Sequence, residues 1–158
     1  MQNKLYIFSG VPASKEKDEA VIKNFLSLEG KKAICGSTSL KIFCRITGKT
    51  AKLKRESFIP GNAPEYEVDG LDFASEGVLT LNAFFGDLKN EVPPSAAKNL
   101  SKLALEADEI IFITGGAENK LCGEDFFKSA NVLPRDAIID KIILSLRRAG
   151  KTVKKEKV

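Results

Sequence analysis

The sequence has 158 residues, 43% of them hydrophobic and 29% charged, a composition that fits one folded domain with a real core rather than a disordered chain. Histidine is absent, which removes histidine-based catalysis and most zinc sites, and no run approaches the roughly 18 apolar residues of a membrane span. The net charge of +4 is modest, and there is no tryptophan, so a base-stacking surface for nucleic acid is not indicated.

The cysteines are Cys35, Cys44 and Cys122, an odd set without CxxC spacing. They are interpreted as reduced thiols, and no apolar leader with a cleavage site is evident, so the sequence predicts a cytoplasmic protein. Cys122 has no histidine partner and is expected to be an inert or surface thiol.

The chain opens with a predicted strand and a predicted helix. Leu5–Phe8 is a short apolar run followed by small residues, which is typical of a buried strand. A helix is predicted over Lys15–Leu28, with Ser14 as its N-cap and Gly30 as its C-terminal stop.

The next segment repeats this alternation and then becomes irregular. A strand is predicted at Lys32–Cys35 and a helix over Ser39–Thr47. Lys49–Arg55 alternates without an apolar face and is predicted to be an edge strand at best. Two short extended pieces are predicted at Tyr66–Val68 and Leu71–Phe73.

Helices dominate the second half of the chain. They are predicted over Gly77–Leu88 and Ala96–Glu106, before the clearest buried strand, Glu109–Thr114. Pro134 is expected in the first turn of a helix over Arg135–Ala149.

The last predicted strand, Lys151–Val158, is rich in lysine, which suits the edge of a sheet. No repeat or interdomain linker is evident. The alternation of strands and helices predicts a single α/β domain over residues 1–158, with a layered, mainly parallel, Rossmann-like sheet flanked by helices.

Small residues follow three of the predicted strands, at Ser9-Gly10, at 36–39 and at Gly115-Gly116. In open parallel sheets, ligands bind outside the carboxyl ends of the strands. The loop at 36–39 also opens a helix, whose unpaired first-turn N–H groups suit phosphate or carboxylate. It matches neither the Walker pattern nor GxGxxG, and a plain turn with a Ser/Thr helix cap is the alternative.

The sequence therefore predicts binding of a small anionic ligand at this loop. The candidate ligand-binding residues are Gly36, Ser37, Thr38, Ser39, Glu76, Thr80, Gly115 and Gly116.

Asp69, Asp72 and Glu76 form a short acidic group that could hold Mg²⁺ or Ca²⁺. Their spacing does not match an EF-hand loop. A turn at Asp69 and a favourable helix-dipole position for Glu76 explain them more simply. No metal, no cofactor and no catalytic residue is predicted.

Three segments carry a family resemblance. Leu5–Ser39 leads through a strand and a helix into a CGSTS turn, Val68–Leu81 reads VDGLDFASEGVLTL, and Gly150–Lys157 reads GKTVKKEK. In this order they resemble the C-terminal region of bacterial PPM-type serine/threonine phosphatases of the stage II sporulation protein E family. The resemblance is collinear over most of the chain, and EGVLTL is its most specific part. Ser37 replaces the second glycine of the family's turn, and the segment 116–134 diverges from the family and has no histidine.

The resemblance implies an accessory domain, excised or separately encoded, because the family's catalytic core with its metal-binding aspartates lies N-terminal to this region. We therefore expect a non-catalytic regulatory or ligand-sensing domain that acts on a phosphatase catalytic module in cis or in trans. A protein–protein interaction or dimerisation domain without a ligand is one alternative. An enzyme acting on a nucleotide or sugar phosphate is another. Neither nucleic acid nor a membrane is expected as a partner.

Overall fold

The computed structural model describes residues 3–55, 64–89, 98–116 and 134–158 of the protein. Within these residues the chain forms a seven-stranded sheet with helices on both faces. The strands are β1 (Lys4–Ser9), β2 (Lys31–Cys35), β3 (Lys52–Leu53), β4 (Glu65–Glu67), β5 (Phe73–Ser75), β6 (Glu109–Thr114) and β7 (Thr152–Lys157). The helices are α1 (Asp18–Ser27), α2 (Ser37–Thr47), α3 (Gly77–Lys89), α4 (Lys98–Glu106) and α5 (Arg135–Arg148).

The sheet has the strand order β3-β4-β5-β2-β1-β6-β7. Every pairing from β5 through β7 is parallel, whereas β3 and β4 add an antiparallel extension at one edge. The predicted fold class, a layered α/β domain with a mainly parallel sheet, is confirmed. The two segments predicted to be edge strands, β3 and the lysine-rich β7, do lie at the edges.

The strand order changes direction at β1. The chain runs from β1 to β2 on one side, continues to β5, and then crosses back to place β6 on the other side of β1. Ser9 at the end of β1 stands beside Thr114 at the end of β6. A crevice outside the carboxyl ends of the strands, at such a reversal, is where open α/β sheets bind ligands.

Two apolar layers hold the sheet between the helices. Because side chains alternate along a strand, Leu5 and Ile7 pack with α3, α4 and α5, whereas Tyr6 and Phe8 pack with α1 and α2. The rings of Phe8 and Phe25 pack at a centroid distance of 5.8 Å in the second layer. The carboxyl edge of the central strands is therefore supported by a core that is buried on both faces of the sheet.

Two helix starts differ from the predictions. Ser14 does not cap a helix with its side chain. Instead the Lys17 amide donates to the Ser14 carbonyl, which closes a 3₁₀ turn at Lys15–Lys17 before α1 begins at Asp18. Pro134 is the N-cap of α5 rather than a residue of its first turn.

The third correction concerns α2, which begins at Ser37 rather than Ser39. Gly36 is its N-cap, and no side chain caps the helix. The three hydroxyl residues therefore fall inside the first turn instead of preceding it, so the predicted Ser/Thr cap is wrong, whereas the interpretation of this loop as a plain turn without a ligand stays a prediction.

β3 is shorter than predicted, Lys52–Leu53 instead of Lys49–Arg55, and the other boundaries shift by one or two residues. β4 begins at Glu65 and β5 at Phe73, each slightly displaced from its predicted position. The predicted start of the helix at Ala96, the thiol of Cys122 and most of the divergent segment lie outside the described residues. None of the described helices is long and apolar enough to cross a membrane.

Candidate functional site

The hydroxyl of Ser39 joins the first turn of α2 to the loop after β1. The amide of Gly10 donates to Ser39 Oγ at 2.9 Å, and this hydroxyl donates in turn to the Gly10 carbonyl. Ser39 is only 1% exposed. Its side chain is therefore occupied inside the protein and not directed at a ligand.

Gly36 is required by contact rather than by backbone conformation. Its φ of 163° is extended backbone that any residue adopts. A methyl group at its Cα would lie 2.7 Å from Ser39 Oγ. The Gly36 amide is also occupied, because it donates to the Ser75 carbonyl at 2.9 Å and extends the pairing of β2 with β5.

Ser37 and Thr38 are the exposed part of this loop. The first amide of α2 that donates within the helix is that of Leu40, which bonds the Gly36 carbonyl. The amides of Ser37, Thr38 and Ser39 therefore lack helical acceptors, as the first N–H groups of any helix do, and no side chain caps them. Together with the two exposed hydroxyls they present hydrogen-bond donors and partial positive charge at the carboxyl edge of the sheet.

The start of α3 lies next to the start of α2. A methyl group on Gly77 would lie 3.8 Å from the Cα of Gly36. Glu76 directly precedes α3 and is exposed, and its Oε1 accepts a hydrogen bond from the Tyr66 hydroxyl at 3.1 Å. Burial, and then the hydrogen bond and charge of Glu76, raise the pKa of Tyr66. Glu76 contributes a negative charge, which opposes an anion bound at the neighbouring helix start.

Thr80 is turned inward. It is 3% exposed, and its Oγ1 lies 2.7 Å from Ser75 Oγ. Because the Ser75 hydroxyl donates to the Pro64 carbonyl at 2.8 Å, the proton shared with Thr80 comes from Thr80. The Thr80 donor is therefore used to fasten the start of α3 to β5.

The glycines after β6 are tied to neighbouring backbone. The Gly115 amide donates to the Ser9 carbonyl at 2.9 Å, and the Gly116 amide donates to the Val158 carbonyl oxygen at 2.8 Å. A methyl group on Gly115 would lie 2.0 Å from the nitrogen of Val11. These glycines allow the loops after β1 and β6 to touch, and their amides are not free to bind an anion.

Arg135, at the first position of α5, lies over the same pair of loops. A methyl group on Gly10 would lie 2.9 Å from Cζ and from Nη1 of Arg135, and 2.9 Å from the Gly115 nitrogen. Nε of Arg135 is buried, and no described residue accepts a hydrogen bond from it. The sequence reasoning missed this residue. The signal that could have found it is a cation at a helix start, where the dipole disfavours positive charge.

A cavity of about 620 Å³ lies at the opposite, amino edge of the sheet. Its lining includes Lys4, Lys31 and Asp72, whose charges have partners: Lys4 lies 3.7 Å from Glu109, and Asp72 accepts from the Lys32 amide at 2.8 Å. The carboxyl edge has the first-turn amides of α2, which lack helical acceptors and a side-chain cap. We therefore place the candidate site at the carboxyl edge, because unpaired donors indicate a ligand more directly than volume does.

The acidic group considered for a metal does not gather. Asp72 is held at β2 by the Lys32 amide, whereas Glu76 faces Tyr66. Among the described residues, no cluster of three or more His, Cys, Asp or Glu side chains could hold a metal ion.

Cys35, at the end of β2, is close to the site in sequence, but its thiol is unreactive. It is fully buried, and burial raises the pKa of its thiol to about 12. Thiolate is the nucleophilic form, so Cys35 is not a reactive cysteine at neutral pH.

The fold and this edge together define a layered α/β domain with the starts of α2, α3 and α5, and one arginine, at the carboxyl ends of its central strands. Comparison with protein-family models, curated proteins and solved structures gave no match. The resemblance to the phosphatase family thus rests on the sequence segments, and it stays a prediction. The eight candidate ligand-binding residues stay a prediction as well, although the structure shows which of their atoms are already occupied.

Proposed function

We propose that the chain is a non-catalytic, cytoplasmic ligand-sensing domain that binds a small anion at the start of α2 and regulates a PPM-type serine/threonine phosphatase module in cis or in trans. The observation that carries the binding part is the uncapped first turn of α2, whose amides and exposed Ser37 and Thr38 hydroxyls lie at the carboxyl edge of the sheet. The phosphatase part is supported by the sequence resemblance alone.

The occupied atoms narrow the proposal. Ser39, Thr80 and the amides of Gly115 and Gly116 are bonded within the protein. The anion is therefore held by the α2 backbone amides with the hydroxyls of Ser37 and Thr38, while Ser39 fixes the turn in place.

An NMR titration tests the binding. Inorganic phosphate, pyrophosphate and succinate are added separately to ¹⁵N-labelled protein at constant ionic strength, because exposed charges respond to salt. Saturable shifts of the Ser37, Thr38 and Ser39 amides are expected for at least one anion. Thr38→Ala removes one hydroxyl donor and keeps the amides, so a loss of affinity of about 1 kcal/mol is expected. Saturable binding that leaves these amides unmoved would contradict the proposed site.

The regulatory part has its own experiment. With Mn²⁺ or Mg²⁺, the chain alone is expected not to hydrolyse an aryl phosphate or a phosphopeptide. The reading frame around the chain shows whether a phosphatase core precedes it. Hydrolysis that copurifies with the chain and disappears in Glu76→Ala or Asp72→Ala would overturn the non-catalytic reading.

A second function, self-association or docking, is favoured by exposed leucines on one helical layer. Leu105 of α4 is 64% exposed and Leu144 of α5 is 54% exposed. Size-exclusion chromatography with light scattering tests self-association and so distinguishes this second function from ligand sensing. A dimer that the change of both leucines to serine converts to a monomer would favour the docking function.

A further inference from the structure

The geometry points to Arg135 as a second anion-binding residue of this edge, one that grips an oxyanion (a phosphate or a carboxylate group) over the loops after β1 and β6. This inference rests on the proposed function, because it assigns a further contact to the same ligand. None of the sequence motifs includes Arg135, and its role follows from its surroundings.

The first step is position. Arg135 lies where Gly10, after β1, meets Gly115, after β6. A methyl group on Gly10 would be 2.9 Å from the guanidinium carbon of Arg135 and equally close to the Gly115 nitrogen. This is the point where the strand order reverses. Gly10 also carries the hydrogen bond from its amide to Ser39, so the arginine and the first turn of α2 are joined through a single residue.

The second step is the unpaired donor. Nε of Arg135 is buried and lacks an acceptor, and burying a polar group without a partner is unfavourable. Of the buried side-chain nitrogen and oxygen atoms in the described residues, only one other, Asp18 Oδ1, lacks a partner. Asp18 keeps an ion pair through its other oxygen, 3.0 Å from Arg45. Arg135 is therefore the position where an unpaired buried donor most needs a ligand to explain it.

The third step is charge. A cation at the first position of a helix opposes the helix dipole, and the Asp136 carboxylate next to it in the chain is exposed. An oxyanion placed between the guanidinium and the helix start pairs with both. The planar guanidinium can give two parallel hydrogen bonds, from Nε and one Nη, to two oxygens of a carboxylate or phosphate.

The fourth step is the close approach of the guanidinium to the backbone at Gly10. Gly10 has a φ of 106°, and a side chain there would collide with the guanidinium. Glycine at this position therefore lets Arg135 approach the backbone after β1, where the strand order reverses. Gly10 contacts Arg135 and is also bonded to Ser39 in the first turn of α2, so the ligand is expected to bear one anionic group within reach of both or two separate ones.

The test uses the Nε–H resonance of Arg135 as a direct reporter in the full chain. Inorganic phosphate and succinate are titrated in a buffer free of both, at fixed ionic strength. We expect a saturable downfield shift of the Arg135 Nε–H proton together with shifts of the Gly10 and Gly115 amides. Arg135→Gln is expected to weaken binding roughly tenfold or more, as loss of a charge-assisted hydrogen bond does. Arg148→Gln, the same change at the exposed far end of α5, should leave the affinity unaltered.

The outcomes separate this inference from the proposed function. Shifts at Ser37–Ser39 with an unmoved Arg135 Nε–H would overturn the role of Arg135 and keep the anion site at α2. Shifts at Arg135 with unmoved α2 amides would keep the arginine and overturn the α2 site. No saturable shift with either anion would overturn both. Arg135→Lys keeps the charge and loses the planar fork, so an affinity equal to wild type would contradict the two-oxygen grip. The wild-type Nε–H measurement decides the matter even where a variant does not fold.

Discussion

Ser39 and Gly10 are joined by two hydrogen bonds through one hydroxyl, which accepts from the Gly10 amide and donates to the Gly10 carbonyl. Removing that hydroxyl in Ser39→Ala leaves a buried amide and a buried carbonyl without partners. We expect the free energy of unfolding to fall by about 1–3 kcal/mol. Urea denaturation followed by circular dichroism measures it.

Ser37→Ala is the matched control, because Ser37 is exposed in the same turn. Its effect on stability should stay within about 0.5 kcal/mol. Equal stabilities for the two variants would mean that the bond to Gly10 does not hold the loop.

Glu76→Gln is expected to tighten binding of an anion at the start of α2. Glu76 is exposed and directly precedes Gly77, the first residue of α3, which lies next to Gly36 at the start of α2. Removing one exposed like charge is worth up to about 1 kcal/mol, which is up to roughly fivefold in affinity, and the gain should shrink with added salt. Phosphate titrations at low and high salt measure it. Glu67→Gln, an exposed change on β4, is the control, and a loss of affinity in Glu76→Gln would make Glu76 a ligand contact instead.

The periodicity of the chain was sufficient to predict the layers of the fold, because long amphipathic helices and apolar strands carry their burial pattern locally. Glu109–Thr114 was predicted residue for residue as a buried strand. The antiparallel pairing of β3 with β4 depends on contacts between distant segments, and short strands such as Lys52–Leu53 carry little local signal.

The site was harder to predict, because what a polar group binds is set by the tertiary structure. Ser39, Thr80 and Thr38 are all hydroxyl residues near helix starts. Ser39 and Thr80, however, are buried and hydrogen-bonded within the protein, whereas Thr38 is exposed. Arg135 looks like an ordinary helix residue until the fold brings it over Gly10. The sequence was therefore enough to predict that these small residues lie at the carboxyl edge of the sheet, but not which of their hydrogen-bond donors stay available to a ligand.

Phe112→Ala should destabilise the protein by about 3–5 kcal/mol. Phe112 is fully buried in β6, in the layer formed with α3, α4 and α5. Leu144→Ala on α5 removes a large apolar side chain that is 54% exposed, and its cost should stay below about 1 kcal/mol. Thermal and urea unfolding of both variants measures the difference. A small cost for Phe112→Ala would show that β6 is not packed on both faces.

We expect the buried thiol of Cys35 to make the protein less stable at alkaline pH. Burial raises its pKa from 9.0 to about 12, so the folded protein keeps the thiol protonated while the unfolded chain ionises near pH 9. The unfolded state then binds fewer protons than the folded state. The free energy of unfolding therefore falls as pH rises from about 9 towards 12, by up to about 1.4 kcal/mol per pH unit from this group.

The slope attributable to Cys35 is the difference between wild type and Cys35→Ala, because lysines and tyrosines titrate in the same range. Urea unfolding at pH 8, 9 and 10 provides it. We expect the two proteins to differ in slope above pH 9 and to run parallel below it. Parallel curves throughout would show that Cys35 reaches solvent in the folded state.

Gly115→Ala tests whether the loops after β1 and β6 must touch. A methyl group at this position would lie 2.0 Å from the nitrogen, 2.2 Å from the oxygen and 2.4 Å from the carbonyl carbon of Val11, all backbone atoms that no rotamer change can move. We expect a loss of about 3 kcal/mol or more, measured by urea unfolding. Gly86→Ala is the control: its methyl group meets nothing within 4 Å in α3, so alanine there should stabilise by about 0.5–1 kcal/mol. A fall in the free energy of unfolding for Gly115→Ala and a rise for Gly86→Ala would show that the backbone contact with Val11 requires glycine at position 115. If Gly115→Ala instead keeps wild-type stability, the two loops are not in contact, and the support for Arg135 over Gly10 is lost with them.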